Sequence, residues 1–309
     1  MSRDGTGLDG APRLEARAGA SLAAAIDAMD PGAGRASGEN FPVALRVLPT
    51  HRRTYLMAVY GFARTTDDIG DRAPREQRSG LLDELEADLR RLYASQGGDG
   101  AGAAGARTRV VRTLAPAVTD CGIPMQPFLD LIQANRQDQV ISRYQTFAEL
   151  LEYCRLSANP VGRIVLYVFG SFSERQAELS DSICTALQLA EHWQDVAEDL
   201  RAGRIYLPAQ DMDEFGCTEE DLSQASAPPQ ARALIAAETR RAKVMLESGA
   251  PLIGTLHGAA RLAVAGYVAG GRAALAAIAA ADHDVLRATP VPRKQRLAAE
   301  LILAYARGR

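Results

Sequence analysis

Hydrophobic residues recur at helical spacing over most of the chain after residue 38. Between Thr50 and Ile69, for example, Leu56, Val59 and Ala63 fall on one helical face. Similar patterns predict helices over residues 14–29, 50–69, 75–95, 106–121, 125–140, 147–170, 229–256, 259–283 and 292–307, and within 187–208. No stretch alternates with period two between turn signals, so the predicted fold is all-α.

Composition separates a tail from a folded domain. Residues 1–38 are rich in Gly, Ala and Ser and predict a flexible amino-terminal tail, whereas residues 39–309 predict a single all-α domain. The formal charge of −3 and the scattered basic residues give no nucleic-acid footprint, so no nucleic-acid partner is expected.

The amino terminus lacks the apolar stretch of a secretory signal, and the four cysteines are widely spaced. We therefore expect a cytoplasmic protein with reduced, packed thiols. An uncharged run of about 20 apolar residues would span a bilayer, but even the segment 251–281 is interrupted by Arg261 and Arg272.

The stretch from Leu187 to Pro208 combines apolar residues with acids. On one continuous helix, Gln188, Glu191, Asp195 and Asp199 would share a stripe about 80° wide. Carboxylates one turn apart repel each other by on the order of 3 kcal/mol at an effective dielectric of about 20. An ordinary solvated face would tolerate this arrangement, but the surrounding apolar residues favour burial, and a buried face of this kind requires a cation.

A second acidic group ends the helix predicted after Thr50. Asp67 and Asp71 are one turn apart and share a face with Arg64, whereas Asp68 points about 100° away. Aspartate is disfavoured at a helix carboxyl end, where it opposes the helix dipole. A solvated helix end would also account for these residues, but their number favours a function.

Polar residues also cluster where a proline interrupts the helix predicted over 147–170. Pro160 should kink this helix. The polar residues and the glycine around the kink are Tyr153, Arg155, Asn159, Gly162 and Arg163. A polar ligand that approaches this bend closely would explain the cluster.

The two acidic pairs suit Mg²⁺, a hard cation that binds oxygen ligands and shares substrate phosphate. Arginines in or beside the same segments would supply further positive charge to a diphosphate. An apolar helical bundle would keep the reaction dry. These features predict chemistry on a prenyl diphosphate.

Three segments carry a resemblance to a known family. The sequences YGFARTTDDIGD, YCRLSANPVGR and LQLAEHWQDVAEDLRAGRIYLP are similar to motifs of the squalene/phytoene synthase family, and they occur in the family's order. The resemblance covers residue 39 to the carboxyl end. It implies an isoprenoid-synthase helical bundle around a central apolar cavity.

Within that family, ENFPVA, SANPVGR and HWQDVAEDL resemble the bacterial hopanoid-pathway branch. The resemblance implies a Mg²⁺-dependent conversion of presqualene diphosphate to hydroxysqualene with loss of diphosphate, more than one Mg²⁺ ion and no NADPH. A separate flavin-dependent reductase would act on the product. The lipid substrate implies transient contact with the inner membrane face.

Carried over by position, the resemblance makes Asp67 and Asp71 the first metal pair and Asp195 and Asp199 the second. It places Tyr153 at the reacting carbons. The helical pattern around the Asn-Pro bend makes Tyr153 and Asn159 the polar groups best placed to hold the attacking water. Glu191 replaces the asparagine usual in relatives and joins the metal ligands, with either tighter metal binding or an altered geometry as the consequence. The residues expected to bind substrate are Arg53, Tyr60, Arg64, Gly162, Arg163, Gln188, Arg204 and Tyr206.

Two alternatives stay open on the sequence. One is head-to-head condensation of two farnesyl or geranylgeranyl diphosphates, which would use the same metal site and cavity. The other is a non-catalytic helical assembly protein, which the four principal aspartates disfavour because buried like charge is costly.

Overall fold

The structure, a computed structural model, describes residues 22–29, 48–95 and 105–307. Residues 22–29 are helical, and helices make up most of the rest. They are α1 Thr50–Arg72, α2 Arg78–Ser95, α3 Arg109–Cys121, α4 Gln126–Gln137, α5 Phe147–Ser157, α6 Asn159–Val168, α7 Glu174–Gln194, α8 Val196–Arg201, α9 Ala209–Phe215, α10 Glu219–Leu222, α11 Pro229–Gly249, α12 Leu252–Thr255, α13 Gly258–Ala280 and α14 Lys294–Arg307. The described part contains no strand, only an isolated bridge between Arg143 and Ile205. The all-α prediction is confirmed.

Two expectations fall wholly or largely outside the described residues. They are the ENFPVA segment at residues 39–44 and most of the predicted tail at residues 1–38. By their internal contacts, the described residues form two compact units, with 22–29, 57–95 and 105–125 in unit 1 and 48–56 and 126–307 in unit 2. The single domain over 39–309 stays a prediction.

In unit 1, helices α2 and α3 pack against each other through leucines and valines. Asp88 of α2 is fully buried and accepts hydrogen bonds from the backbone amides of Arg107 and Thr108 at 2.6 and 2.8 Å. The Thr108 hydroxyl also donates to Asp88, and it caps α3 by accepting from the Val111 amide. This carboxylate therefore fixes the start of α3 and has a structural role.

In unit 2, helix α7 is packed against several helices. Its contacts are with α5, α6, α11, α12 and α13, and with α8, which follows it in the chain. Three of these helices approach it through glycine. A Cβ at Gly162 would lie 2.4 Å from the Ser180 hydroxyl oxygen, and one at Gly249 would lie 2.5 Å from the Leu179 carbonyl oxygen. At Gly271 a Cβ would lie 2.9 Å from Leu187. At Gly249 the backbone of α7 itself leaves no room for a Cβ atom, whereas at Gly162 and Gly271 the obstructing atoms belong to side chains.

The helix predicted over 147–170 is two helices. Helix α5 ends at Ser157, Ala158 is the junction, and Pro160 lies in the first turn of α6. Proline is well suited to that turn because the first amides of a helix have no partner inside the helix. The expected kink inside one helix is therefore wrong, and the chain begins a new helix instead.

Helix α13 is the one described helix long and apolar enough to cross a membrane by length and composition, despite Arg261 and Arg272. Half of its most apolar window is buried in the structure. The helix packs against α7, α11, α12 and α14, and Arg272 donates to Glu247 on α11. These are the contacts of a helix within a protein bundle.

The close approach of α11 to α7 generates a stability prediction. We expect Gly249→Ala to lower the free energy of unfolding by about 1–3 kcal/mol, because the Leu179 carbonyl belongs to the backbone and cannot rotate away. Gly266→Ala on α13 is the matched control, since nothing lies within 4 Å of its Cβ position. Denaturant unfolding of both variants measures the difference, and equal stabilities would show that α7 and α11 are not so tightly packed.

Candidate functional site

Four acids, Glu191, Asp195, Glu198 and Asp199, form what we call the acidic stretch. It begins on α7 and continues past the end of that helix. Asp195 is the junction between α7 and α8, with φ −104° and ψ 17°. The expected single helix is therefore interrupted. Its hydrogen-bond spacing nevertheless continues, because the Asp195 amide donates to the Glu191 carbonyl at 3.0 Å and the Asp199 amide to the Asp195 carbonyl at 2.8 Å.

Burial of the acidic side chains is graded. Glu191 and Glu198 are exposed, Asp195 is half-buried, and the Asp199 side chain keeps 24% of its accessible surface. Trp193, in contrast, is completely buried. Of the two possibilities that the sequence left open, a solvated and a buried face, the structure combines both, since only Asp199 lies mostly out of solvent.

Burial and like charge shift the acidity of these groups. Burial, followed by repulsion from Asp195, raises the pKa of Asp199 to about 7, although Arg204 opposes the shift. Burial and Glu198 also raise the pKa of Asp195. One carboxylate oxygen of Asp199, Oδ2, is buried without a hydrogen-bond partner. A buried, unsatisfied carboxylate oxygen beside other acids is the kind of group that a bound cation would stabilise.

The neighbouring His192 does not provide a positive charge for Asp199. The Nδ1 atom of His192 lies 4.0 Å from Asp199 Oδ2, which is too long for a hydrogen bond. Burial, helped by the positive charge of Arg204, lowers the pKa of His192 to about 3. The imidazole is therefore neutral at physiological pH and does not compensate the charge of Asp199.

Aromatic rings adjoin the acids. His192 stacks on Tyr206 with ring centroids 3.6 Å apart, and Tyr206 lies 5.8 Å from both Tyr144 and Tyr153. The Tyr153 hydroxyl donates to Oδ2 of Asp138 at 2.9 Å. Burial, with the nearby charge of Asp138, raises the pKa of Tyr153 well above its ordinary value, so this phenol stays protonated. We call these four rings the aromatic cluster.

Backbone pairing holds Tyr206 in that cluster. The Ile205 amide donates to the Ser142 carbonyl and the Ala209 amide to the Tyr144 carbonyl, each at 2.9 Å. Upstream, the Arg204 amide donates to the Asp199 carbonyl at 2.8 Å. Backbone hydrogen bonds thus fix the segment from Arg204 to Pro208 to Asp199 at one end and to residues 142–144 along the rest.

An apolar cavity of about 220 Å³ opens beside α7. Val161, Val165 and Val264 contribute to its lining, and Gln188 and Glu191 add polar groups. Ligand pockets usually measure about 300–1,000 Å³, so this cavity would hold only part of a long hydrocarbon. Its lining nevertheless joins apolar surface to the first acid of the acidic stretch.

The polar cluster expected around the Asn-Pro bend has partners inside the protein. The Thr185 hydroxyl donates to Asn159 at 2.9 Å, and Arg163 donates two hydrogen bonds to Asp181 at 3.0 and 2.6 Å. Gly162 permits the close packing of α6 on α7. Helix packing thus accounts for this cluster without a ligand, and its role in substrate binding stays a prediction.

The first acidic group belongs to unit 1. Asp67 and Asp71 are exposed, whereas Asp68 is buried and forms salt bridges with Arg64 at 3.4 Å and Arg72 at 3.3 Å. Because α1 is continuous from Thr50 to Arg72, Arg64, Asp67 and Asp71 share a helical face as predicted, and Arg64 also pairs with the buried Asp68. The metal role of Asp67 and Asp71 stays a prediction.

Of the other predicted substrate-binding residues, Arg53 and Tyr60 are half-buried on α1, in unit 2 and unit 1 respectively. Gln188 on α7 lies 3.2 Å from His192, measured between Nε2 atoms. Among the residues that the structure describes, no three Asp, Glu, His or Cys side chains converge closely enough to hold a metal ion.

Sequence analysis missed three residues of the site, Asp138, Tyr144 and His192. Asp138 follows the carboxyl end of α4, where its bond to Tyr153 spans fifteen positions. No local periodicity reveals such a contact. His192 could have been noticed, because it lies one turn after Gln188 between the acids Glu191 and Asp195.

The raised pKa of Asp199 predicts a stability that depends on pH. Ionising this carboxyl group costs more in the folded than in the unfolded protein, so the wild-type protein loses stability as the pH rises from about 4 to about 7. Asp199→Asn removes that loss. In the absence of metal, we expect its advantage over wild type to grow by on the order of 2 kcal/mol between pH 5 and pH 8.

Urea unfolding with EDTA at both pH values checks this expectation. Asp213→Asn, at an exposed position on α9, is the control and should show no such growth. A variant at Asp199 that is less stable than wild type at pH 8 would instead give this carboxylate a structural role.

Comparisons with known proteins agree with the motifs. A sequence model described as squalene/phytoene synthase matches residues 35–296. The chain is 37% identical over 218 residues to hydroxysqualene synthase from Rhodopseudomonas palustris, covering 69% of this chain and 70% of that protein. It is 30% identical over 277 residues to chloroplastic phytoene synthase from Daucus carota, covering 87% of this chain and 67% of that one.

Solved structures support the same assignment. The crystal structure of squalene synthase HpnC from Alicyclobacillus acidocaldarius matches with 37% identity and a TM-score of 0.74, covering 87% of this chain and 96% of that one. A dehydrosqualene synthase matches with a TM-score of 0.75 at 23% identity, which shows the shared fold. The chain belongs to the squalene/phytoene synthase family and has its isoprenoid-synthase fold.

Proposed function

We propose that this protein converts presqualene diphosphate to hydroxysqualene and releases diphosphate. Membership of an isoprenoid-synthase family that acts on prenyl diphosphates supports the substrate class. The similarity to hydroxysqualene synthases at 34–37% identity supports the particular reaction. The observation that carries the proposal is the acidic stretch, which adjoins both an apolar cavity and the aromatic cluster.

The reaction breaks the bond between carbon and the diphosphate oxygen, and the electron pair leaves with diphosphate. The resulting carbocation takes the oxygen of one water molecule, and one proton is released. Apolar walls and aromatic faces protect such a cation from bulk water. Tyr153 donates to Asp138, so its phenol oxygen can still accept a hydrogen bond from the attacking water. Asp138 provides the carboxylate towards which the released proton moves.

The proposed Mg²⁺ ligands are two pairs of aspartates. In unit 2 they are Asp195 and Asp199, which Glu191 joins, and in unit 1 they are Asp67 and Asp71. The unsatisfied Oδ2 of Asp199 fits a cation-binding role. When bound, Mg²⁺ supplies positive charge that stabilises the departing diphosphate. Arg53, Arg64, Arg163 and Arg204 remain the proposed arginine partners of the diphosphate, and Tyr60, Gln188 and Tyr206 would complete its surroundings.

Condensation of two prenyl diphosphates is the second candidate, because the match to phytoene synthase spans more of this chain than the match to hydroxysqualene synthase. We propose that the pure enzyme uses no NADPH and that a flavin-dependent reductase acts on its alcohol product. Substrate and product are C30 lipids, so the proposal includes transient contact with a membrane surface and a cytoplasmic location.

The metal assignment predicts that Asp67→Asn and Asp195→Asn each lower turnover at saturating Mg²⁺ by about a hundredfold or more, since each removes a charged ligand. Asp213→Asn is the matched control and should keep wild-type turnover. Release of diphosphate from presqualene diphosphate measures the effect. Near wild-type rates for both ligand variants would remove the metal role from these residues.

The hydration step predicts the source of the product's oxygen. In ¹⁸O-water, the enzyme should form hydroxysqualene that carries ¹⁸O, because water and not diphosphate supplies the hydroxyl group. Adding NADPH should change neither the product nor the rate. Mass spectrometry of the extracted lipid reads the result. An unlabelled alcohol would contradict hydration, and conversion of farnesyl diphosphate alone to presqualene diphosphate or squalene would favour condensation.

A further inference from the structure

The carboxyl-terminal helix α14 presents an apolar face to solvent. Ala304 is its only buried residue, whereas Ile302 is 69% exposed and Leu303 is 43% exposed. At 100° per residue, an arc of about 140° contains only apolar side chains over the last nine residues before Arg307. These residues are Ala298, Ala299, Ile302, Leu303 and Ala306.

A basic cleft of about 680 Å³ adjoins this helix, between α11, α13 and α14. Two carboxylates, Glu247 and Glu300, line the cleft together with five basic residues. The five are Arg240, Lys243, Arg272, Arg296 and Arg307. Five positive and two negative charges leave a local balance of +3, although the whole chain carries −3. Arg272 and Arg296 form ion pairs with the two carboxylates, so the excess positive charge of the cleft lies on Arg240, Lys243 and Arg307.

The cleft and the apolar face share an edge. On the helical wheel of α14, Arg296 and Arg307 lie about 20–40° beyond Leu303, and both line the cleft. On α11, Val244 follows the cleft residue Lys243 directly and is 70% exposed. Contact with the bundle anchors the helix, because Arg261 donates to the Tyr305 carbonyl at 2.8 Å. The apolar residues thus remain on the outside of a helix that is already packed.

Charge decides which partner fits this surface. In a symmetric contact with a second copy, the same face of each copy would meet, so two clefts of balance +3 would approach each other. A free phosphate ion would use the basic residues but leave Ile302 and Leu303 in water. A bilayer with anionic headgroups satisfies both, since its phosphates complement the bases and its acyl region accepts apolar side chains.

We propose that α14 and the basic cleft form a docking surface for an anionic lipid membrane. Ile302 and Leu303 enter the boundary between headgroups and acyl chains, while Lys243, Arg296 and Arg307 contact lipid phosphates. The proposal names the surface for the membrane contact suggested above, but it rests on the exposure and charge of these residues and not on the reaction. Membrane binding can therefore fail while the proposed catalysis stands, and the reverse also holds.

Cosedimentation with unilamellar vesicles tests the proposal on the full-length protein. One set of vesicles contains phosphatidylcholine alone, and the other contains phosphatidylcholine and phosphatidylglycerol at about 7:3. We expect binding to the anionic vesicles only, and we expect it to weaken as salt is raised. The double variant Lys243→Gln/Arg307→Gln should bind roughly 25-fold less, at about fivefold for each basic residue. The variant Ile302→Gln/Leu303→Gln should lose roughly tenfold.

Two matched double variants serve as controls. Val140→Gln/Ile141→Gln replaces a neighbouring pair of exposed apolar residues, 82% and 38% exposed, outside the proposed surface. Arg155→Gln/Arg175→Gln makes the same change in net charge at two exposed arginines. Both should bind like wild type. Equal losses in controls and test variants, or equal binding to neutral vesicles, would overturn the proposal. So would a wild-type dimer that Ile302→Gln/Leu303→Gln converts to monomer.

Discussion

The close packing of three helices on α7 is the constraint on which unit 2 depends. Gly162, Gly249 and Gly271 face α7 at distances that leave no room for a Cβ atom. At Gly249 the obstructing atom is the Leu179 carbonyl oxygen, so α11 and α7 cannot slide past each other by a fraction of a turn without collision. Side chains fill the contacts at Gly162 and Gly271, and together the three contacts position α7, whose acidic end emerges beside the apolar cavity.

That fixed end would be unfavourable if α7 simply continued. Carboxylates in the last turn of a helix oppose its dipole, and Glu191 already lies in that turn. The break at Asp195 reduces the conflict, because Glu198 and Asp199 then lie in the first turn of α8. Only a six-residue helix follows, and the relief is incomplete, since burial and Asp195 still raise the pKa of Asp199 to about 7. The remaining strain is electrostatic and is the part that a bound cation would remove.

Sequence periodicity was sufficient for the features that depend on neighbours along the chain. It predicted the helical class, the one-turn spacing of Asp195 and Asp199, and the segments that carry the family motifs. It failed where a single residue ends a helix, as at Ala158 and Asp195, because continuing and restarting a helix differ little in local pattern. It also failed where distant segments meet. The bond from Tyr153 to Asp138 joins α5 to the end of α4, and the stacking of Tyr206 on His192 depends on the pairing of residues 142–145 with 205–210.

At Gly162 the sequence suggested a bound ligand where the structure has helix packing. A glycine between Asn159 and Arg163 suggested a ligand at the bend, yet its immediate neighbours are Ser180 and Cys184 of α7. A sequence cannot distinguish a glycine that admits a ligand from one that admits a helix, because both require a missing side chain.

Helix α13 connects the two functional proposals physically. Its amino-terminal half contributes Val264 and Tyr267 to the apolar cavity, and its carboxyl-terminal half contributes Arg272 and Leu275 to the basic cleft. Gly271, between these halves, holds the helix against α7. Helix α13 packs against α14 on one side and against α7 on another. Helix α13 therefore lines both the cavity that would receive a lipid and the cleft that would meet the bilayer.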